Sequence, residues 1–407
     1  MTDAKSVRVF EALGAGGADV RFVGGCVRDA VLKRRVNDID IGTPDPPPKV
    51  VERLGAAGIK VVPTGIDHGT VTAIVDHTPF EITSLRRDVE TDGRRAVVAY
   101  TADWSEDAAR RDFTMNAMSC RPDGTLYDYF GGVGDVEAGR VRFVGDPETR
   151  IREDVLRILR FYRFHAHYGI GEPDAAARAG CRDLAHLLPD LSAERVRNET
   201  LRILAATAPH TVLRLMRADG VLAHYFPEER DFETLGRLVP LEVRFASPDP
   251  LRRLAAALGP EADPAAIAQR FKLSRAERTR LVDILAHRDR FSPDDDPCEL
   301  RRRFHVRGAE AWADAALLWW AAEGRDDTGA LARILDEARA WTPKTLPVAG
   351  ADAKALGLSA GPQLGEALKA VEAWWIEQDF EPGRDALLER LRAAVAERKA
   401  EEGNEGA

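Results

Sequence analysis

Val23-Gly24-Gly25-Cys26-Val27-Arg28-Asp29 and then Asn37-Asp38-Ile39-Asp40-Ile41 is the stretch that decides the reading of this chain. On a β-strand, residues i and i+2 point to the same face, so an Asp-x-Asp pair converges on one spot. Paired carboxylates of this kind suit Mg²⁺, a hard cation that takes one or two protein oxygens and leaves its other positions to water and phosphate. The glycines upstream let backbone N–H groups approach an anionic ligand closely. Metal-holding carboxylates beside a phosphate-binding turn suggest nucleotidyl transfer. Taken alone, Asp-x-Asp fits a solvated strand end or turn equally well; the adjoining Gly-Gly-x-x-Arg-Asp shifts the balance.

With its spacing, the stretch resembles the head of the polymerase β-type nucleotidyltransferases. More narrowly, it resembles the class II tRNA nucleotidyltransferases (CCA-adding enzymes) and their relatives, the bacterial poly(A) polymerases. The resemblance implies that Asp38 and Asp40 hold the catalytic metals. It also implies a third carboxylate from a neighbouring strand. The matching segment is Pro79-Phe80-Glu81-Ile82-Thr83-Ser84-Leu85, whose alternation of apolar and polar residues reads as a half-buried strand, so Glu81 is the candidate. Gly24, Gly25 and Arg28 are then placed to hold a triphosphate.

Three further segments carry the resemblance. Arg110-Arg111-Asp112-Phe113-Thr114-Met115-Asn116-Ala117-Met118 matches the block in which the Asp contacts the ribose 2′-hydroxyl and an Arg and the Asn hold the nucleotide. That assigns Arg111, Asp112 and Asn116 to nucleotide binding, although a capped helix start would use the same residue types. Ile151 to Arg160 reads as one helix with Ile151, Val155, Leu156 and Leu159 turned inward. Asp154 and Arg157 then stand as i, i+3 neighbours on one face. They would make a surface ion pair, or offer acceptors and a rigid donor fork to a base edge. The resemblance implies the second: a protein template reading the Watson–Crick edge of CTP or ATP. Arg160 and Arg163 continue that face toward triphosphate or RNA. The polar link from Arg87 to about Asp107 matches the flexible loop through which relatives switch from C to A, with Arg87, Asp88 and Arg94 carried over. A loop of that length inside a compact domain has a function or is disordered.

A chain of 407 residues predicts two or more domains. With 44% hydrophobic and 31% charged residues it reads as globular and soluble, and no run approaches the roughly 20 apolar residues of a membrane span. Cys26, Cys120, Cys181 and Cys298 are scattered without a Cys-x-x-Cys pair, which disfavours zinc or disulfides and predicts a cytoplasmic location. A net charge of −9 sits awkwardly with RNA binding. Local clustering decides where phosphates dock, and Arg150, Arg152, Arg157, Arg160 and Arg163 cluster, opposed only by Glu153 and Asp154.

Strand-like segments at Val20–Val23, Asp38–Ile41, Thr70–Val75, Phe80–Ser84 and Leu126–Asp128 interleave with helical patterns at Arg28–Lys33 and Pro48–Ala57. Beyond Pro147 only helical spacing recurs, at 150–168, 192–207, 210–219, 250–258, 276–287, 309–322, 328–341, 363–377 and 384–398, with a frayed tail after 398. The expected fold is therefore α+β: a nucleotidyltransferase head with a small mixed sheet (1–145), then an elongated all-α neck for nucleotide selection (146–207) and a helical body and tail for tRNA (208–407). Leu191 to Glu199 and Phe226-Pro227-Glu228 fit the family's neck and body. The expected partners are the tRNA 3′ end, CTP and ATP, with Mg²⁺ as cofactor. A poly(A) polymerase and a catalytically dead RNA-binding module remain as alternatives. The missing basic segment after the neck weighs against the first, and the intact acidic set against the second. The oligomeric state is not encoded in any of these signals.

Overall fold

The central pairing of the head sheet is parallel: β2 (Asp40–Thr43) runs alongside β5 (Thr78–Ser84). Parallel neighbours need a long crossover. Here it is α3 (Pro47–Ala56) followed by β3 (Lys60–Gly65) and β4 (Thr70–Val75), which fold back antiparallel before β5. In this computed structural model all residues are described except 2, 67–68, 93–94, 227–231, 260–261, 289–291, 295, 360 and 406–407. The expected Pro227 and Glu228 of the neck-to-body match thus lie outside the described residues.

On the other side of β2, antiparallel β1 (Arg21–Val23) leads to β8 (Ser119–Cys120) and β9 (Leu126–Tyr127), giving the order β3-β4-β5-β2-β1-β8-β9. The expected small mixed sheet is present, with two strands more than the pattern disclosed: β3 on one edge and β8 between β1 and β9. A separate antiparallel ribbon of β6 (Arg86–Asp92) and β7 (Arg95–Tyr100) stands where a structureless loop was expected. The run Ala96-Val97-Val98-Ala99-Tyr100 supplies the β-branched and aromatic residues that strands favour, and its polar partner strand hid the alternation.

Helix starts follow local chemistry. Asp3 caps α1 (Ala4–Gly14) by accepting from the amides of Lys5 and Ser6. α2 (Gly25–Val31) follows the glycine turn, and Pro47 sits in the first turn of α3. Asp103 caps α4 (Trp104–Ala109), and α5 (Gly132–Glu137) precedes α6 (Pro147–Glu153), which Asp146 caps through the Thr149 amide at 2.8 Å. The helix expected to run through 150–168 is broken. Asp154 adopts φ −152°, ψ 103°, and α7 (Arg157–Tyr168) starts afresh after it. Then come α8 (Ala175–Asp183), α9 (Ala193–Leu204) and α10 (Pro209–Ala218). Phe113 packs against Phe143 and Phe164 with ring centroids 4.8 and 5.1 Å apart, which seats α7 on the sheet side of the chain. All these elements belong to one compact unit, Met1–Phe232 with Arg270–Lys272.

The second unit is helical, and no strand follows Tyr127 among the described residues. Its innermost helix, Ala309–Glu323, buries Trp312, Leu317, Leu318 and Trp320, and also Asp314. Around that aspartate the unit holds a buried network of charges. Arg252 Nε and Arg280 Nη2 donate to Asp314 at 2.7 and 2.8 Å, and Arg252 Nη1 and Arg253 Nε donate to Glu242 at 2.8 and 2.6 Å. A second apolar cluster joins Val371 and Trp375 to Leu387 and Leu391, and the last helix extends from Arg384 to Glu405 rather than fraying at 398.

Glu242 is fully buried and pairs with Arg252 and Arg253, so removing it takes a buried counter-charge from both. Glu242→Ala is expected to destabilise the second unit by about 3–5 kcal/mol. Urea unfolding followed by tryptophan fluorescence reads this unit directly, because six of the seven tryptophans lie beyond residue 232.

Candidate active site

In the parallel register of β2 and β5, Asp40 stands directly opposite Glu81, the residue carried over as a third carboxylate. Asp38 does not share the strand, because β2 begins at Asp40; Asp38 sits exposed two residues earlier. The two aspartates are nonetheless neighbours in charge. Burial pushes the Asp40 carboxyl above its ordinary range, the Glu81 and Asp38 carboxylates add to the rise, and Arg111 opposes it. No hydrogen bond or ion pair engages these three carboxylates among the described residues. Nor, among those residues, do three or more Asp, Glu, His or Cys side chains gather into a closed metal cage. Unpartnered oxygen donors that repel one another, without a full protein cage, fit a hard divalent cation that completes its shell with water and phosphate.

The glycine turn lies against this edge. Gly24 has φ +70°, a backbone conformation that favours glycine, and a Cβ there would come within 2.9 Å of Arg111 Nη1 and displace that side chain's tip. Cys26 Sγ donates to the carbonyls of Val23 and Asp40 at 3.3 and 3.6 Å, tying the turn to the acidic strand. Its buried thiol is pushed up to about 11, first by desolvation, and is chemically quiet.

From Arg28 a continuous chain of charge-assisted bonds crosses to α7. Arg28 Nη1 donates to Asn116 Oδ1 at 2.7 Å, Asn116 Nδ2 to Asp112 Oδ1 at 3.0 Å, and Arg160 Nε to Asp112 Oδ2 at 2.7 Å. Asp112 is buried, which alone would raise its pKa. The Arg160 guanidinium and the Asn116 amide outweigh that and hold it below the usual carboxylate range. Asp107, also buried, pairs with both Arg110 and Arg111 at 2.8 and 3.0 Å.

These groups line a cleft of about 530 Å³ that includes Gly24, Gly25, Arg28, Asp40, Asp112, Asn116, Asp154, Arg157 and Arg160. Asp154 and Arg157 are not an ion pair with each other. Asp154 accepts from Arg195 Nη2 at 2.8 and 3.0 Å and from the Leu156 amide at 3.2 Å. Arg157 Nη1 donates to Glu153 at 2.5 Å and to the Arg150 carbonyl, and its Nη2 to the Arg110 carbonyl. The helix break at Asp154 separates the two residues that a continuous helix would have stacked.

Arg163 is not brought into the cleft. It is buried beside Glu199, with Nη1 3.0 Å from the carboxylate, and desolvation lowers its pKa to about 10. The arginine cluster of 150–163 is largely consumed by acids: Arg150 and Arg157 by Glu153, Arg160 by Asp112, Arg163 by Glu199. Arg87 and Asp88 lie on β6, with Arg87 exposed and 3.9 Å from Glu106; Arg94 lies outside the described residues. Sequence reasoning missed Arg195, Arg86, Asp107 and Phe164. Arg195 sits in the quoted Leu191–Glu199 string, but nothing local tied it to an aspartate 41 positions earlier.

A mixed sheet bearing Asp40 and Glu81 on adjacent strands beside a glycine turn, with a helix of arginines across the cleft, is the arrangement of a nucleotidyltransferase of the polymerase β type. Comparison with known proteins agrees. A family profile described as the poly A polymerase head domain matches residues 20–142, and one described as a probable RNA and SrmB-binding site of polymerase A matches 172–232. The mitochondrial CCA tRNA nucleotidyltransferase 1 of Danio rerio is 33% identical, over 92% of this chain and 87% of its own. A CCA-adding enzyme of Bacillus velezensis is 36% identical over 54% of each chain. The crystal structure of Bacillus stearothermophilus CCA-adding enzyme in complex with CTP superposes with TM-score 0.80 at 25% identity, covering 98% of both chains. The chain belongs to the CCA tRNA nucleotidyltransferase family, and it is a nucleotidyltransferase whose family chemistry depends on a metal.

Arg195 is the only side chain bonded to the Asp154 carboxylate among the described residues, so its loss leaves only the Leu156 amide to hold that carboxylate. Arg195→Ala is expected to raise UTP and GTP misincorporation about tenfold, on the order of 1 kcal/mol of lost base discrimination. Competition between labelled nucleotides in a single-addition assay measures it.

Proposed function

We propose that this chain adds C, C and A in turn to the 3′ end of tRNA, taking CTP and ATP, using no nucleic-acid template and releasing pyrophosphate. The observation that carries the template-free part is the separate anchoring of Asp154 and Arg157. A guanidinium has five N–H donors. In Arg157 three are used, which leaves Nε–H and one Nη2–H. Asp154 retains lone-pair capacity beyond its bonds to Arg195 and the Leu156 amide. Two edges fixed in place but not spent on each other can present donors and an acceptor to a base.

The remaining residues take their roles from position. Gly24, Gly25 and Arg28 lie on the wall where a triphosphate would be held, and Arg111 and Asn116 flank it. Asp112 stands ready for a ribose hydroxyl, with Arg160 holding it ionised. Asp38 and Asp40, supported by Glu81, would hold the metal, which we assign as Mg²⁺. When bound, a divalent cation there lowers the pKa of an attacking 3′-hydroxyl and neutralises departing pyrophosphate. The β6–β7 ribbon joins the acidic strand β5 to the Asp112 block, so its displacement would reach both walls; we assign it, with Arg87, Asp88 and Arg94, the switch from C to A. In this division the head (1–145) carries the chemistry, the neck (146–207) selects the base, and the body and tail (208–407) hold the RNA. No described helix is long and apolar enough to cross a membrane, and all four cysteines are free. The free thiols support a reducing compartment, which we take to be the cytoplasm.

The test offers tRNA lacking its last three nucleotides with CTP, with ATP or with both, and sequences the products. Two added C with CTP alone and a complete CCA with both are expected. Asp40→Ala should reduce incorporation by at least about 10³-fold while tRNA binding stays within a few fold. Long A tracts from ATP alone would instead identify a poly(A) polymerase.

A further inference from the structure

Arg28, the cation on the triphosphate wall, is held by more than its hydrogen bonds. Its Nε and Nη2 fork onto the Asp29 carboxylate at 3.0 and 3.1 Å, and its Cζ lies over the Tyr168 ring, 4.1 Å from the centroid. The Tyr168 hydroxyl donates to Asp29 Oδ1 at 3.1 Å, so one side chain supports the guanidinium from below and also fixes the carboxylate that orients it. Arg34 approaches the same ring at 4.7 Å and donates to the His167 carbonyl, binding the chain just after α2 to the end of α7.

The arrangement is periodic. Arg160, Phe164 and Tyr168 are spaced i, i+4, i+8 on α7 and form one stripe. Phe164 lies between, 5.4 Å from Arg28 and 5.5 Å from Arg160. Arg28 therefore meets α7 twice: through Asn116 and Asp112 to Arg160, and through Asp29 to Tyr168. The loop closes on a single helix whose first residue is Arg157.

We propose that Tyr168, acting with Asp29, is a positioning residue for the triphosphate. It pre-orders Arg28 and fixes the phosphate wall to the helix that carries the base-reading Arg157. This rests on the reading of the cleft as a nucleotide site. It assigns Tyr168 no contact with the nucleotide. A cation held over an aromatic face and forked onto a carboxylate has little freedom left, so less ordering is left to the ligand.

The experiment is equilibrium titration of the full chain, in Mg²⁺ and without RNA, with CTP, ATP, UTP and inorganic pyrophosphate. Tyr168→Leu removes ring and hydroxyl. It is expected to weaken CTP, ATP and pyrophosphate binding by a common factor of about ten, the scale of one partly desolvated cation–π contact. Tyr168→Phe keeps the ring and should weaken all three by about two- to threefold, the scale of one modest hydrogen bond. The CTP-to-UTP ratio and the tRNA KM should stay at wild-type values in both. Unchanged pyrophosphate and CTP binding in folded Tyr168→Leu would overturn the proposal. So would a loss of tRNA binding, base preference and melting temperature together, which marks plain packing. A wild-type chain that binds neither CTP nor ATP would overturn the nucleotide reading of the cleft itself. If Tyr168→Leu does not fold, wild-type pyrophosphate affinity in Tyr168→Phe overturns the role of the hydroxyl and Asp29.

Discussion

The buried carboxylate of Asp112 is the point on which the cleft depends. It belongs to the head, in the block after the β6–β7 ribbon, and its counter-charge Arg160 belongs to α7, 48 residues later. A buried carboxylate without a cation is costly, and a guanidinium at 2.5–2.7 Å makes ionisation the favoured state. Once that pair forms, α7 has one orientation against the head. Phe164 then comes to rest on Phe113 and Arg28 meets Tyr168. The walls of the cleft are thus set by one pair and confirmed by packing.

The same logic resolves the discord between a net charge of −9 and an arginine-rich cleft. Most of those arginines are not a free basic surface. Asp107 takes Arg110 and Arg111, Glu153 takes Arg150 and Arg157, and Glu199 takes Arg163. Each pairing fixes a guanidinium and uses only some of its donors, which suits recognition better than loose attraction. In the second unit the habit is carried further. Arg252 and Arg253 share Glu242 in the interior, where the pairing joins the helices Glu233–Phe245 and Pro250–Ala257.

Much of this was legible in the amino-acid order. Short-range signals travelled well: Gly24 with its positive φ, the prolines that open α3, and Glu81 opposite Asp40, where strand alternation plus a family pattern was enough. What failed was long-range or geometrically local. Periodicity read straight through Asp154, because apolar spacing persists on both sides of a break that one extended residue creates. The β6–β7 ribbon looked like a loop because six of the seven residues of its first strand are polar or charged. Arg163 looked like a continuation of Arg160. One residue's position around the helix separates a cleft-lining side chain from one buried on Glu199, and only the location of Glu199 decides which is which. The clasp of Tyr168 on Arg28 joins segments 140 residues apart, and no local signal announces it.

We infer that base choice resides in the protein, in the unspent edges of Asp154 and Arg157. Nucleotide binding to the RNA-free chain measures that most directly, by comparing CTP and ATP with UTP and GTP in the wild type and in Arg157→Ala. The account predicts that CTP and ATP bind more tightly than UTP and GTP in the wild type, and that Arg157→Ala erases about tenfold or more of the difference while retaining triphosphate binding. Equal binding of all four nucleotides by the wild type, or preference surviving intact in Arg157→Ala, would contradict it.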